Sequence, residues 1–324
     1  MYKMELNKDI VRTAVLMPTY GRPEAIKDTL TACLDLYKKY HFDVYVFDSN
    51  GDYNKEKIIT ELQSKYDNLY YIRLCEFIHL DCKWLDMVRV KYLKKDYDYL
   101  YPCGDANSLT EYSLERIYSY LEQKVDIINM SDFARISKTT EFNKANDFFN
   151  SKNMNIGLWA GAIYNRKTIF DLTDEEWNSA ISKWFTCDKE FIGLNGFILE
   201  RISLCENLRI VEPSMDGAEP KQVFKRSKFK QASFWRKDAI KLIAITYPKV
   251  YRMLPECYTN VEEKLYKLML TNFKIQHFKF LKRNSRFNLI DYMNYRKIFK
   301  EAGFNVLTIP IFIIALIPSK FYKK

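Results

Sequence analysis

The first 133 residues repeat one pattern: a short apolar run, a segment with helical spacing, then another apolar run. The runs are TAVLMPTY (13–20), FDVYVFDSN (42–50), NLYYIRLCE (68–76), YDYLYPCGD (97–105) and VDIINMSDF (125–133). Between them lie PEAIKDTLTACLDLYKKY (23–40), NKEKIITELQSKY (54–66), CKWLDMVRVKYLKK (82–95) and LTEYSLERIYSYLEQK (109–124). Pro23 suits a first helical turn, where its missing N–H costs nothing. This β-α-β-α order predicts an α/β fold: a mostly parallel sheet with helices on both faces.

Ligands of such sheets bind outside the carboxyl ends of the strands. That rule selects Pro18-Thr19-Tyr20, Asp48-Ser49-Asn50 and Gly104-Asp105, where polar or acidic groups directly follow apolar residues. One such end is ordinary, because a strand must leave the sheet somewhere. Three together point to a site.

The rest of the chain is less regular. NIGLWAGAIYN (155–165) reads as a strand with glycines where a ligand or backbone comes close. TDEEWNSAISKWFTCDKEFIGLNGFILERISLC (173–205) reads as mainly helical, with Thr173 or Asp174 as N-cap, and LRIVEPS (208–214) as a short strand. From about Gln222 onward the segments are helical and rich in Lys, Tyr and Phe.

Charge divides the chain at about the same place. Residues 220–324 hold 23 Lys+Arg and 6 Asp+Glu, a net +17, whereas residues 1–219 hold 28 and 35, a net −7. We therefore expect a catalytic domain over 1–219 and a basic, mainly helical region over 220–324. Seven scattered cysteines without a C-x-x-C pair argue against a zinc ribbon or a disulfide scaffold. They suit reduced thiols in the cytoplasm. The N-terminal apolar run stops at Pro18, too short for an export signal. The apolar run 306–318 is shorter than the roughly 20 residues needed to span a bilayer.

Asp105 and Asn107 form a D-x-N, two oxygen-bearing side chains that can face one hard cation or simply make an Asx-type turn. In context, VLMPTYGRPEAIKDTL (15–30), VYVFDSNGDYNKE (44–56) and YDYLYPCGDAN (97–107) together resemble glycosyltransferase family 2. Pro18, Thr19, Tyr20 and Arg22 match its first motif, with Gly21 in place of the usual Asn. Asp48 to Asp52 match the second, and Gly104 to Asn107 the third, with Asn107 in place of an acid. The resemblance covers roughly residues 12–212 and implies the GT-A fold.

It further implies that Pro18, Thr19, Tyr20, Arg22, Asp48, Asn50, Gly104 and Asp105 border the nucleotide-sugar donor. Asp105 and Asn107 would hold Mn²⁺ or Mg²⁺, the neutral amide being the weaker ligand. Asp81 and Lys83, at a helix start that faces the donor in the family, would serve the base or ribose and the diphosphate. WFTCDKEFIGL (184–194) looks like the family's base segment, which aligns Asp188 with the catalytic base. Glu190 stands about 200° further round a helix, so the two acids cannot share one pocket. It joins Trp159 and Gly161 of the Gly-rich segment as acceptor-side candidates.

The basic C-terminal part has apolar residues beside Lys and Arg, as in RKDAIKLIAITYPKVYRML (236–254). That texture suits the inner face of a membrane, and no nucleic-acid motif appears. Its aromatic content would also suit a homodimer. The resulting expectation is an inverting glycosyltransferase. It would use a UDP-sugar and an acceptor that is a glycan or lipid-linked, in bacterial surface (capsule) polysaccharide synthesis. The enzyme would be cytoplasmic and peripheral on the membrane. The rivals are a sugar nucleotidyltransferase, for which the Gly-rich opening loop is missing, and a non-catalytic basic adaptor.

Overall fold

The structure, a computed structural model, describes residues 10–49, 53–74, 85, 87–89, 92–130, 138–151, 154, 156, 161–189, 192–214, 224–226, 242–283, 287–304, 307 and 309–322. Its strands are β1 (Thr13–Thr19), β2 (Phe42–Asp48), β3 (Leu69–Arg73), β4 (Tyr99–Pro102) and β5 (Asn107–Leu109), then β6 (Ile127–Asn129), β7 (Thr140–Phe142), β8 (Ala162–Asn165), β9 (Ile210–Glu212) and β10 (Phe224–Arg226).

 Eight strands form one sheet in the order β3-β2-β1-β4-β8-β6-β9-β7, and β5 pairs with β10 in a two-stranded ribbon. β3, β2, β1 and β4 run parallel, while β8 is antiparallel to both β4 and β6. β9 is parallel to β6, and β7 closes the edge antiparallel to β9. The sheet is thus mixed but mostly parallel, as the β-α-β-α reading requires.

β1 and β2 are buried at all seven positions, which explains their continuous apolar sequences. Helix α1 (Pro23–Lys39) starts on a proline and ends on Lys38 and Lys39, whose charges suit the carboxyl end of its dipole. Its inward stripe of Ile26, Leu30, Cys33, Leu34 and Tyr37 recurs at helical spacing and packs with β1, β2 and β4 in the main core. Helix α2 spans Tyr53–Gln63, and helix α3 spans Glu111–Glu122 with Thr110 as its N-cap. Chain order places β2 and β3 on one side of β1 and β4 on the other. The gap between β1 and β4 is therefore a topological switch point, where an open α/β sheet leaves a crevice.

Some sequence expectations shift. β5, β7 and β10 are short strands that their sequences do not announce. The helix expected over 82–95 does not reach its end: residues 92–95 are turn and bend, and the Lys94 amide donates to the Tyr45 hydroxyl at 2.9 Å, outside any helical ladder. Most of that segment's start lies outside the described residues, as does most of 155–160. The N-cap choice at 173–174 falls to Thr173: its hydroxyl accepts from the Glu176 amide, and the Glu176 carboxylate accepts from the Thr173 amide.

The chain forms two compact units: Met1–Asn178 with Arg201–Gln231, and Ser179–Glu200 with Ala232–Lys324. The first contains every strand among the described residues. The second is built on Trp184, fully buried, with its indole N–H on Glu200. A Cβ on Gly196 would lie 2.3 Å from the Trp184 ring, so no larger residue fits there. Short helices follow in this unit: α4 (Tyr247–Tyr251), α5 (Val261–Asn272), α6 (Ile275–Arg283), α7 (Leu289–Glu301) and α8 (Ile309–Leu316). Phe273, Phe278, Phe287 and Phe299 form their aromatic core.

Candidate functional site

At the carboxyl end of β1 the chain must turn sharply to enter α1. Gly21 makes that turn with a left-handed φ of 59°. Asn and Gly are the residues that tolerate this conformation, so Gly21 is a physically equivalent replacement for the Asn of the family motif. The turn leaves Tyr20 54% exposed and directs Arg22 back over the strand ends.

Three strand ends meet around two buried acids. The Asp105 carboxylate, 1% exposed, accepts from the Thr19 hydroxyl at 2.8 Å and forms an ion pair with Arg22. The Asp105 carbonyl accepts from the Thr29 hydroxyl of α1 at 3.0 Å. Burial pushes the Asp105 carboxyl up, while the Arg22 charge and the Thr19 hydrogen bond pull it back. Next door, Asp48 is fully buried at the end of β2. It pairs with the equally buried Lys55 ammonium of α2 at 2.7 Å and accepts from the Tyr71 hydroxyl of β3 at 2.8 Å. Burial, and then the Asp48 hydrogen bond, drive the Tyr71 phenol far above its usual range.

The D-x-N is a turn that becomes a strand. The Asn107 amide closes back on the Gly104 carbonyl at 3.1 Å, and Asn107 then opens β5, in register with Arg226 of β10. Pro18 sits inside β1, in register with Phe47. Gly161 is buried just before β8, and its carbonyl accepts from the Met130 amide at 2.7 Å, just past the carboxyl end of β6. The structure therefore brings Thr19, Arg22 and Asp105 into one network, puts Asp48 on the adjacent strand, and gathers Gly104, Asn107 and Gly161 along the same edge of the sheet. Asn50, Asp81, Lys83, Trp159 and Glu190 lie outside the described residues.

Sequence reasoning missed Lys55, Tyr71 and Thr29, which hold the two acids. A lysine in an ordinary amphipathic helix and a tyrosine within a strand carry no signal of that role. It also passed over Glu212, whose position it could have found: this acid ends the run LRIVE, as Asp48 ends its own. Glu212 is buried and accepts from the Asn129 amide group at 2.7 Å, so β9 and β6 end in a second polar pair.

Asp188 belongs to the second unit, in a single 3-10 turn (Cys187–Lys189). Its carboxylate is paired with Lys249 and accepts from the Thr186 hydroxyl. These two hydrogen bonds hold its carboxyl down at about 2. Lys189 beside it turns inward, donating to the Lys183 carbonyl at 2.6 Å.

Among the described residues no three His, Cys, Asp or Glu gather as a metal cage. A divalent ion that is bound with a diphosphate needs fewer protein ligands, commonly one or two carboxylates. Asp105 with the Asn107 amide meets that requirement, with Arg22 as a competitor for the same carboxylate.

No protein-family model matches the chain, and no curated protein sequence matches it. Solved structures do. TarS 1-349 of S. aureus superposes with a TM-score of 0.57 at 13% identity, covering 90% of this chain and 81% of that one. The same protein in complex with UDP-GlcNAc gives 0.53 at 12% identity, covering 90% and 92%. A mannosyltransferase from Pyrobaculum calidifontis, in complex with GDP-Man and Mn²⁺, gives 0.50 at 13% identity, covering 94% and 85%. The architecture shared with these structures is the GT-A fold.

Proposed function

We propose that this chain is an inverting glycosyltransferase that moves a sugar from a nucleoside-diphosphate sugar, a UDP-sugar in particular, to a hydroxyl group. The observation that carries the reading is the cluster of Thr19, Arg22 and Asp105, beside Asp48, at the switch point of a GT-A sheet. The structures that share this fold include complexes with UDP, UDP-GlcNAc and GDP-Man.

In this reading the ribose and base lie against Thr19, Tyr20 and Asp48, and the diphosphate lies against Arg22. Asp105 and Asn107 would hold a divalent cation with the bound donor, and its charge would offset that of the leaving diphosphate. Asp188 acts as the base. It accepts the acceptor hydroxyl's proton as that oxygen attacks the anomeric carbon. The bond from that carbon to the diphosphate oxygen breaks, and the nucleoside diphosphate leaves with the electron pair. While Lys249 is paired with it, Asp188 is a weak base, so the acceptor must loosen that pair. The acceptor is a glycan or lipid-linked saccharide of a bacterial surface polysaccharide, and residues 220–324 attach the enzyme peripherally to the inner membrane face. No helix among the described residues is long and apolar enough to cross a membrane.

The test is a donor screen: nucleotide release from a panel of nucleotide sugars with extracted lipid-linked acceptors. Acceptor-dependent release from one UDP-sugar, lost in Asp188→Asn, is the expected result. Release that continues unchanged in Asp188→Asn would remove the base assignment, and silence with every donor would count against the reaction.

A further inference from the structure

We infer that the cleft between α7 and α8 is a binding site for an anionic membrane lipid. Its apolar walls would take the acyl chain, while Arg296 and Lys300 take the headgroup phosphate. This rests on the proposed membrane attachment and names the surface that performs it.

The argument begins with α8, whose sequence, IPIFIIAL, is apolar at every position. One stripe, Ile311, Ile314 and Ala315, is buried in the unit. The Lys282 ammonium, itself buried, anchors the helix end by donating to the Ala315 carbonyl at 2.9 Å. The opposite stripe is Ile309, Phe312, Ile313 and Leu316, spaced i, i+3, i+4, i+7. These are 76%, 37%, 48% and 52% exposed. The helix packs against α6 and α7 through its buried stripe, and among the described residues the opposite apolar stripe stays open to solvent. Exposed patches of that kind mark interaction surfaces.

Beside this stripe lies a groove of about 690 Å³, in the range of small-molecule and cofactor sites. Tyr292, Phe299 and Phe304, all buried, line it together with Phe312 and the exposed Met293. The groove also reaches Arg296 and Lys300, one helical turn apart on α7. Among the described residues neither cation pairs with an acid, whereas Lys297 between them pairs with Glu301. From Lys282 to Lys324 the sequence carries nine Lys+Arg and two Asp+Glu. An apolar trough rimmed by uncompensated cations is complementary to one chemistry, an apolar chain that ends in a phosphate. A neutral hydrophobic partner would leave the cations unused, and a soluble anion would leave the stripe wet. Apolar burial plus attraction to anionic headgroups is how interfacial segments bind bilayers.

The experiment is co-sedimentation of the full chain with vesicles of phosphatidylglycerol and phosphatidylcholine, compared with phosphatidylcholine alone. Two double variants, Arg296→Glu with Lys300→Glu and Ile309→Ser with Ile313→Ser, change only exposed residues, and circular dichroism and UDP binding check their fold. The expected result is binding that needs the anionic lipid and drops about tenfold or more in each variant. Inorganic phosphate at about 10 mM should not release the protein, because without a chain it fills half of the site. Anionic-vesicle binding that both variants retain would overturn the groove assignment while leaving membrane attachment through other basic residues standing. No binding to anionic vesicles by the intact chain would overturn both. Release by inorganic phosphate would show a free-anion site instead. A dimer that the serine variant converts to monomer, with vesicle binding unchanged, would assign the stripe to a second copy.

Discussion

Two ion pairs, Asp48–Lys55 in the strand-bearing unit and Asp188–Lys249 in the other, use the same side chains in opposite ways. In the first, both side chains are fully buried. In the second they are 49% and 45% exposed. Buried charges cannot be left unpaired, so Asp48 has a dedicated lysine and a tyrosine, and Asp105 has Arg22 and Thr19. The strand ends are thereby fixed before any ligand arrives. Asp188 is paired just as directly but keeps access to water, which suits the role of base proposed for it. The cations of α7 go further: among the described residues neither Arg296 nor Lys300 forms an ion pair, the nearby Glu301 being paired with Lys297.

The contrast is open to attack by mutation. Asp188→Asn should have the largest effect: turnover falls about 10²- to 10⁴-fold, as for loss of a general base, while UDP affinity stays within about twofold. Steady-state kinetics and calorimetry would measure the two. Lys55→Ala should come next, unfolding the protein more easily by about 3–5 kcal/mol in urea titrations, because it strands the Asp48 charge in the interior.

Lys249→Ala breaks the other pair and should cost less than about 1 kcal/mol by the same measurement, because water and salt already screen it. The substitution has a second reading. Asp188, held at about 2 mainly by Lys249, should rise toward the usual carboxylate range. The sign follows from the depressed value: the pair favours folding above the unfolded carboxylate pKa, and that contribution fades as pH falls toward 2. In the variant this acid-side loss should shrink, and the acid limb of the kcat profile should move to higher pH.

The smallest effect on stability should come from Asp105→Asn. Burial raises this carboxyl in the folded protein, so its contribution favours folding most at low pH and is lost as pH rises through the folded value. Relative to the parent, the variant should therefore gain melting temperature between about pH 4 and pH 7, by a few degrees at most. A variant that lost ground with rising pH would show that the Arg22 pair outweighs the burial.

How much of this the sequence carried depends on the kind of information involved. Continuous apolar runs announce buried parallel strands, and β1, β2, β3 and β4 were legible for that reason. The strand-end rule then led to Thr19, Asp48 and Asp105. The groups that neutralise those acids were not legible, because Lys55 arrives from seven residues along and Tyr71 from a neighbouring strand, and only the folded register brings them in. β5 and β10 were hidden for a similar reason: strands of three residues have no period to read, and their pairing joins residues more than 110 positions apart. The tail's 13-residue apolar run was visible in the sequence. Its division into a docked stripe and an exposed one was not, because every residue of α8 is apolar and hydropathy alone marks no inward face.

The most direct test of the central claim is calorimetric titration of the intact protein with UDP in the presence and absence of Mn²⁺. The account predicts saturable binding to one site, strengthened by Mn²⁺ and weakened at least about tenfold in Asp105→Asn, the loss of one charge-assisted contact. No UDP binding under either condition, or binding that Asp105→Asn leaves unchanged, would contradict a nucleotide-sugar site at these strand ends.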